Sequence, residues 1–293
     1  MFSVIMPHFE RPDLLRASLM AMEAKYIGVP FEVVIVDDVS APRLKPIVPP
    51  SLSFDVTVVT LSQKTGINPC VPYNVGAKVA VGDYLVLTSP EIVPVRDVLL
   101  EAEQEFSEAR TRNNTHPYVL FDVFGLTDKD IARNILRSSQ QLSKTSTMEE
   151  TLEDVSDKEP LFLKPGINLS QPWSNDFGSW YHHAKLKPSN LNFLSVIKRS
   201  DYLALGGFCE RYRQGTGYDD LEFRNRMLRK LNLIQIQGLA AVHLDHEEVS
   251  SRPDINMPLN SNKKVFWSMK FLHLKPISNT HNFSISRFPK SAT

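Results

Sequence analysis

Residues 31–38 read FEVVIVDD, an almost uninterrupted apolar run that ends in two aspartates. A strand this apolar and this rich in β-branched residues is typical of a parallel sheet that helices cover on both faces. Outward from it, apolar strands and amphipathic helices alternate at residues 2–6, 12–25, 54–61, 72–81 and 84–87. This alternation predicts an α/β fold, and further strands are predicted at residues 118–121, 194–197 and 233–242.

The composition excludes several classes of protein. The 293 residues carry 33 basic and 33 acidic side chains, so no net positive field draws the chain to nucleic acid. Cys70 and Cys209 lie far apart and fit a reducing compartment better than a disulfide framework. Since there is no leader sequence and no apolar run of about eighteen residues, we predict a cytoplasmic protein without a transmembrane segment. A peripheral association with a membrane stays open.

Residues 206–227 read GGFCERYRQGTGYDDLEFRNRM, a Gly-Gly turn and a loop followed by a helix. The helix is expected to begin at Asp219 or Asp220, either of which would cap it. On a helical wheel Asp220 and Arg224 fall inside the apolar arc, whereas Asp219 and Glu222 fall outside it. An inward carboxylate is costly unless it is paired. Two interpretations therefore remain: a cap with an internal Asp220–Arg224 pair, or a catalytic carboxylate aimed into a cleft.

Two segments show no sign of chemistry. Residues 137–159 are rich in Ser, Thr, Lys, Glu and Gln, which predicts a solvated helix or a flexible insertion. Residues 276–293 are expected to form a poorly ordered C-terminal tail.

Three stretches together resemble the inverting glycosyltransferases of family 2: SVIMPHFERPDLL…FEVVIVDDVS, PYNVGAKVAVGDY and GGFCERY…GTGYDDLEFRNRM, the last with a galactosyltransferase-like GGF…GYDD motif. The resemblance implies the Rossmann-like GT-A fold, an α/β domain with a mixed, mainly parallel central sheet flanked by helices. It implies a single catalytic domain over residues 1–275. Its nucleotide-sugar half would span residues 1–125, and its acceptor and catalytic half residues 160–250.

The chain departs from the family pattern at several positions. Cys209 stands where the family usually has aspartate, and Tyr73 stands in place of arginine. Residues 8–10, HFE, replace the usual TYN. At the metal-binding DxD motif the chain has Ser89-Pro90-Glu91, which keeps only the second acid and makes a weaker cation site.

The resemblance implies transfer of a sugar from a nucleoside-diphosphate sugar, with a UDP-sugar favoured, to a hydroxyl acceptor in polysaccharide or glycoconjugate biosynthesis. It makes Asp220 the general base, with Asp219 as the second candidate. The implied donor-binding residues are Pro7, Arg11, Asp37, Asp38, Gly66, Asn74, Ser89 and Glu91. The implied acceptor-binding residues are Trp180, Tyr181, His183, Gly207 and Phe208, although Trp180 could equally belong to the core.

The resemblance also implies Mn²⁺ or Mg²⁺, held by Glu91, His243 and His246. A lone histidine at a strand end is usually a hydrogen-bonded structural residue. Residues three apart on a strand face opposite sides, so we expect only one histidine to reach the site, His243 before His246.

Two other functions stay open. A non-catalytic relative that binds nucleotide or glycan is favoured by the lost first acid of the DxD motif. A sugar nucleotidyltransferase is disfavoured, because no Gly-rich phosphate loop with Lys or Arg lies near the N-terminus.

Overall fold

The computed structural model describes residues 1–41, 48–113, 116–141, 145–164, 173–246, 261–272 and 279–291. The first half of the chain forms β1 (Phe2–His8), α1 (Pro12–Lys25), β2 (Phe31–Asp37), β3 (Asp55–Leu61), α2 (Cys70–Val79), β4 (Tyr84–Leu87), β5 (Ile92–Pro94), α3 (Val98–Thr111) and β6 (Pro117–Leu126). The second half forms α4 (Lys129–Ser139), α5 (Thr145–Ser156), α6 (Glu159–Phe162), β7 (Ser174–Asn175), β8 (Gly178–His182), β9 (Ser195–Lys198), α7 (Arg199–Ala204), a 3₁₀ turn (Glu210–Tyr212), α8 (Asp219–Met227), β10 (Asn232–Leu244), α9 (Ser261–Leu272) and β11 (Phe283–Phe288).

The strands form one mixed sheet, which confirms the predicted fold class. Its order is β11-β3-β2-β1-β4-β9-β6-β10-β5, and β8 joins β6 to β7. The four neighbours β3, β2, β1 and β4 are parallel, as is the β6–β10 pair. The other pairings of the described strands are antiparallel. The carboxyl ends of β1 to β4 therefore share one edge, where ligands gather in open α/β sheets.

Helices cover both faces of the sheet. One apolar core contains Leu15 of α1, Leu99 of α3 and Met148 of α5. A second contains Val71 of α2 and Phe223 of α8. This arrangement explains why β1, β2 and β4 read as nearly continuous apolar runs, since both of their faces are buried.

The segment 137–159, expected to be a solvated or flexible insertion, contains the packed helix α5. Met148, Leu152 and Val155 are spaced three to four residues apart and are buried in the core. They form one apolar stripe, which meets α1 and α4. The segment is therefore not fully solvated in the structure. Three apolar residues on one face of α5 are enough to pack this helix against α1 and α4.

The C-terminal segment also differs from the prediction of a poorly ordered tail. Strand β11 pairs antiparallel with β3 from Phe283–Leu61 to Phe288–Val56, which adds an edge strand to the sheet. Just before it, Glu210 accepts hydrogen bonds from the Asn279 N–H at 2.9 Å and from His281 at 2.9 Å. Sequence composition alone could not reveal these two long-range attachments. Within the described ranges, no helix is long and apolar enough to cross a membrane.

Candidate functional site

A cavity of about 490 Å³ opens at the carboxyl ends of the parallel strands. It brings together ten of the residues implied by the sequence resemblance: Pro7, Arg11, Asp38, Ser89, Glu91, Tyr181, Asp219, Asp220, His243 and His246. These residues come from strands, from loops and from the start of α8, and positions as far apart in sequence as Pro7 and His246 become neighbours only through the order of the strands in the sheet.

The two aspartates enter the cavity at the first turn of α8. The chain reaches them through Gly217 and Tyr218, whose φ angles of +67° and +68° are left-handed. A positive φ is easy for glycine but strained for tyrosine, and such strain gathers at functional sites. Tyr218 occupies the cap position without a side-chain cap, so the prediction that an aspartate caps α8 was wrong. Asp219 and Asp220 are instead the first two helical residues, with their side chains lining the cavity.

Both carboxyl groups hold their protons more tightly than usual. Burial raises the pKa of Asp220 well above its ordinary value, and the charge of Asp219 raises it further, against a hydrogen bond from Asn192 that lowers it. Burial also raises the pKa of Asp219, against hydrogen bonds from Asn68 and from the N–H groups of the helix start. Two carboxylates side by side and shielded from solvent repel each other, which makes the pair unusually basic.

The helical wheel assigned two acidic residues of α8 to the wrong face. Asp219 and Glu222 are buried rather than outside the apolar arc. Glu222 forms an ion pair with Arg226 at 2.5 Å, and Arg226 donates to the Gly207 carbonyl at 2.8 Å. Arg224 donates to the Ser189 carbonyl, and within the described residues no ion pair joins it to Asp220. Buried charge on α8 is thus satisfied by the neighbouring turn, which a wheel cannot show.

A second group of charged residues surrounds Glu91. Its Oε1 lies 3.0 Å from the Arg11 guanidinium, 3.9 Å from Nε2 of His243 and 3.7 Å from Nε2 of His246. Burial alone would raise the pKa of Glu91, but His246, Arg11 and His243 together lower it to about 2. Both histidines thus reach Glu91, contrary to the prediction, because β10 ends at Leu244 and the two-residue alternation ends with it.

This cluster has the donor atoms that a divalent cation needs. The carboxylate and the two imidazoles offer ligand atoms within 4.8 Å of one another. Burial lowers the pKa of His243 to about 4, so its ring is neutral at physiological pH and keeps a free lone pair. Oε2 of Glu91 is buried and has no hydrogen-bond partner in the described part of the chain. One carboxylate and two imidazoles could therefore hold a divalent cation.

A third group lies beyond the end of β2. Asp38 accepts hydrogen bonds from the Thr65 N–H at 2.9 Å and from the Lys64 ammonium at 2.7 Å. The same ammonium lies 3.4 Å from the centre of the Phe9 ring. Lys64 and Phe9 were not among the predicted site residues. Lys64 follows the end of β3, so the strand-end argument used for Asp38 would have found it.

Several implied site residues lie outside the cavity and serve the fold. Asp37 accepts from Ser40 and contacts His8. Asn74 accepts from the Phe208 N–H at 2.9 Å and donates to the Phe208 carbonyl at 2.8 Å. A Cβ on Gly207 would come within 2.2 Å of Asn74, and one on Gly66 would come within 2.1 Å of the Arg213 carbonyl. Packing and hydrogen bonding within the fold account for the residue types at these positions. The structure therefore gives no support for direct ligand contact there.

The aromatic residues around β8 divide between the core and the cavity, because successive side chains of a strand point to opposite faces of the sheet. Trp180 is fully buried, and its Nε1 donates to the Phe162 carbonyl at 3.2 Å. His183 is buried against Trp180, with ring centres 4.5 Å apart. Tyr181 faces the cavity, where its ring lies 4.3 Å from His243 and 4.8 Å from Phe193. Only Tyr181 of the three lines the cavity, and Phe193 is an additional lining residue.

Comparisons with known proteins agree with this architecture. No protein-family model matches the chain. The chain is 22% identical over 298 residues to a hyaluronan synthase of Pasteurella multocida, covering 98% of the chain but only 29% of that relative. S. aureus TarS 1-349 in complex with UDP has a TM-score of 0.53 at 15% identity, over 92% of this chain and 72% of TarS. The complex of the same protein with UDP-GlcNAc gives a TM-score of 0.53, also at 15% identity, over 92% of this chain and 71% of TarS.

The chain has the GT-A glycosyltransferase fold. The predicted resemblance is thereby confirmed at the level of the fold, and the comparisons support a glycosyltransferase. The chain spans less than a third of the hyaluronan synthase that it matches, so the reaction of the whole protein is a separate question.

Proposed function

We propose that the chain is an inverting glycosyltransferase that moves a sugar from a nucleoside-diphosphate sugar to a hydroxyl of a glycan acceptor. The observation that carries the proposal is one cavity with two chemically different walls. One wall holds a basic carboxylate pair, Asp219 and Asp220, and the other holds Glu91, His243 and His246. A transfer of this kind needs a base for the acceptor and a positive group for the departing diphosphate.

Asp220 is proposed as the general base. Its raised pKa makes the ionised carboxylate a stronger proton acceptor, which suits removal of a proton from the acceptor hydroxyl as its oxygen attacks. Asp219 sits beside it and supplies much of the electrostatic cause of that basicity. One base acting on the attacking oxygen, with direct displacement of the diphosphate, gives inversion at the anomeric carbon.

The donor diphosphate is assigned to the wall around Glu91. A cation bound by Glu91, His243 and His246, with Mn²⁺ or Mg²⁺ as the candidates, would offset negative charge on the leaving diphosphate. Arg11 lies on the same carboxylate and adds a permanent positive charge at this wall. Tyr181 is proposed to contact the acceptor.

The nucleoside is assigned to Asp38, with Lys64 and Phe9 beside it. A UDP-sugar is favoured, and UDP and UDP-GlcNAc are bound by TarS, which shares the fold. Asp38→Ala should weaken UDP binding without unfolding the domain, because the side chain is held by polar contacts outside the apolar cores. Isothermal titration calorimetry would measure this change, and unchanged UDP affinity would remove Asp38 from the nucleoside site.

The test of the mechanism compares two neighbouring variants of the same size. Asp220→Asn should leave donor binding intact and lower the transfer rate by about 10²–10⁴-fold, the usual contribution of general-base catalysis. Asp219→Asn should lower the rate less, since it removes only a neighbouring charge. Reversed outcomes would make Asp219 the base. If neither variant loses activity, the chain is better described as a non-catalytic relative that binds nucleotide or glycan.

A further inference from the structure

Strand β10 carries extra residues before it reaches the cavity. Between the pairs Ile236–Phe121 and His243–Gly125, β10 advances seven residues while its parallel partner β6 advances four. In an uninterrupted ladder Ala240 would lie opposite Gly125. Because the difference of three is odd, the bulges also reverse the face on which every later residue of β10 lies.

This register decides what meets Tyr181. A Cβ on Gly125 would come within 2.5 Å of the Tyr181 ring, so that ring lies directly over Gly125. His243, opposite Gly125, places its own ring 4.3 Å from Tyr181 and its Nε2 beside Glu91. Without the bulges this place would belong to Ala240, which has no ligand atom. The bulges therefore bring the imidazole into the cavity.

Three charged side chains that do not line the cavity make hydrogen bonds to the backbone of the bulge. Oδ2 of Asp122 accepts the Gly238 N–H at 3.1 Å, and Oε1 of Glu159 accepts the Leu239 N–H at 2.8 Å. Arg96 donates to the Gln237 carbonyl at 3.1 Å. Backbone groups in a bulge lose their ladder partners, and buried ones need replacements. Two successive N–H groups here find them in carboxylates, which make stronger acceptors than a carbonyl.

Asp122 also holds strand β8, which carries Tyr181, the ring that contacts His243. It is fully buried, and its Oδ1 accepts the Ala184 N–H at 2.8 Å, just beyond the end of β8. One carboxylate thus ties the strand that carries Tyr181 to the strand that carries His243. None of these three charged residues lines the cavity.

We propose that Asp122 and Glu159 are positioning residues that fix the β10 bulge and thereby hold His243 beside Tyr181 and Glu91. The inference rests on the proposed function only in giving His243 the role of a cation ligand. Glu159 is the first residue of α6, at the end of the polar segment 137–159. That segment therefore takes part in forming the site, although none of its described residues lines the cavity.

The test reads the position of His243 directly. In protein with ¹³C-labelled histidine, the ring current of Tyr181 displaces the His243 ring signal, which His243→Gln would assign. Glu159→Ala removes the acceptor from the Leu239 N–H and should shift this signal and weaken Mn²⁺ binding by about tenfold or more. Glu159→Gln keeps an acceptor oxygen and should resemble the wild type. Glu153→Ala, at an exposed position of α5, is the matched control.

Asp122→Asn provides a second variant, since the two N–H groups are accepted by different oxygens of Asp122 and asparagine replaces one of these with an NH₂ group, which cannot accept. Unchanged His243 signals and Mn²⁺ affinity in both Glu159→Ala and Asp122→Asn would overturn the proposal, as would equal effects of Glu159→Gln and Glu159→Ala. If the wild-type protein binds no Mn²⁺ but Glu159→Ala and Asp122→Asn still shift the His243 signal, the positioning role is supported. The same outcome would show that the proposed function does not involve a cation at this site.

Discussion

Trp180 and Tyr181 are neighbours on β8. We expect Trp180→Ala to lower mainly the stability of the fold and Tyr181→Ala to impair mainly the binding of the acceptor. Trp180 is fully buried, packs edge-on against Phe124 at 5.2 Å and donates to the Phe162 carbonyl. Truncating a buried tryptophan costs about 3–5 kcal/mol of unfolding free energy. The Phe162 carbonyl keeps a hydrogen bond from the Asn175 side-chain amide at 3.2 Å, so the lost tryptophan hydrogen bond adds little to this cost.

The loss should be visible as a change in melting temperature. For a domain of this size each kcal/mol lowers the Tm by about 2–3 °C, so Trp180→Ala should lower it by roughly 6–15 °C. Tyr181→Ala removes a half-buried ring from the cavity wall. We expect a stability loss below about 2 kcal/mol and a higher acceptor KM with donor binding retained. Differential scanning calorimetry and initial-rate kinetics would measure the two effects.

The reasoning has a clear refutation. If Trp180→Ala melts within about 2 °C of the wild type and raises the acceptor KM, Trp180 contacts the acceptor and the cavity boundary is misplaced. If Tyr181→Ala unfolds the chain while Trp180→Ala does not, the two faces of β8 are reversed.

Three further predictions concern charge, metal and backbone. Because burial and Asp219 raise the pKa of Asp220, the contribution of this carboxyl group to stability should fall as pH rises from the unfolded-state value of about 3.9 through the raised folded-state value, and the Tm of Asp220→Asn relative to the wild type should rise over the same range. EDTA should abolish sugar transfer, and Mn²⁺ should restore it; full activity in chelator would contradict the cation. Gly207→Ala, with φ +64° and Asn74 at 2.2 Å, should destabilise more than Gly217→Ala, with φ +67° and open space, in thermal melts.

The sequence predicted the elements whose apolar pattern is local. Helix α1 and strand β4 have the bounds expected from Pro12 and from the Tyr84–Leu87 run, and α2 differs by two residues at each end. The acidic strand end at Asp38 and the helix start at Asp219–Asp220 were also found. In each case the signal lies within about fifteen consecutive residues.

The errors have a common cause in long-range packing. The pairing of β11 with β3 joins residues more than 200 positions apart, and the composition of either strand gives no sign of the other. Trp180 and Tyr181 have similar side chains, so only the sheet decides which of them enters the core. Glu222 is buried because Arg226 and the Gly207 turn surround it. Of these contacts only the Glu222–Arg226 pair, one helical turn apart, has a local signature, and the contact of Arg226 with the Gly207 turn has none.

The sequence by itself determined that this chain is an α/β protein with an acid-bearing helix start, because both features follow from short-range periodicity and backbone preference. Only the tertiary structure decided that Glu91, His243 and His246 meet. Their meeting depends on the antiparallel pairing of β5 with β10 and on three extra residues in β10. Register is a relation between strands, set by contacts such as those of Asp122 with Gly238 and Ala184, and a single stretch of sequence does not contain it.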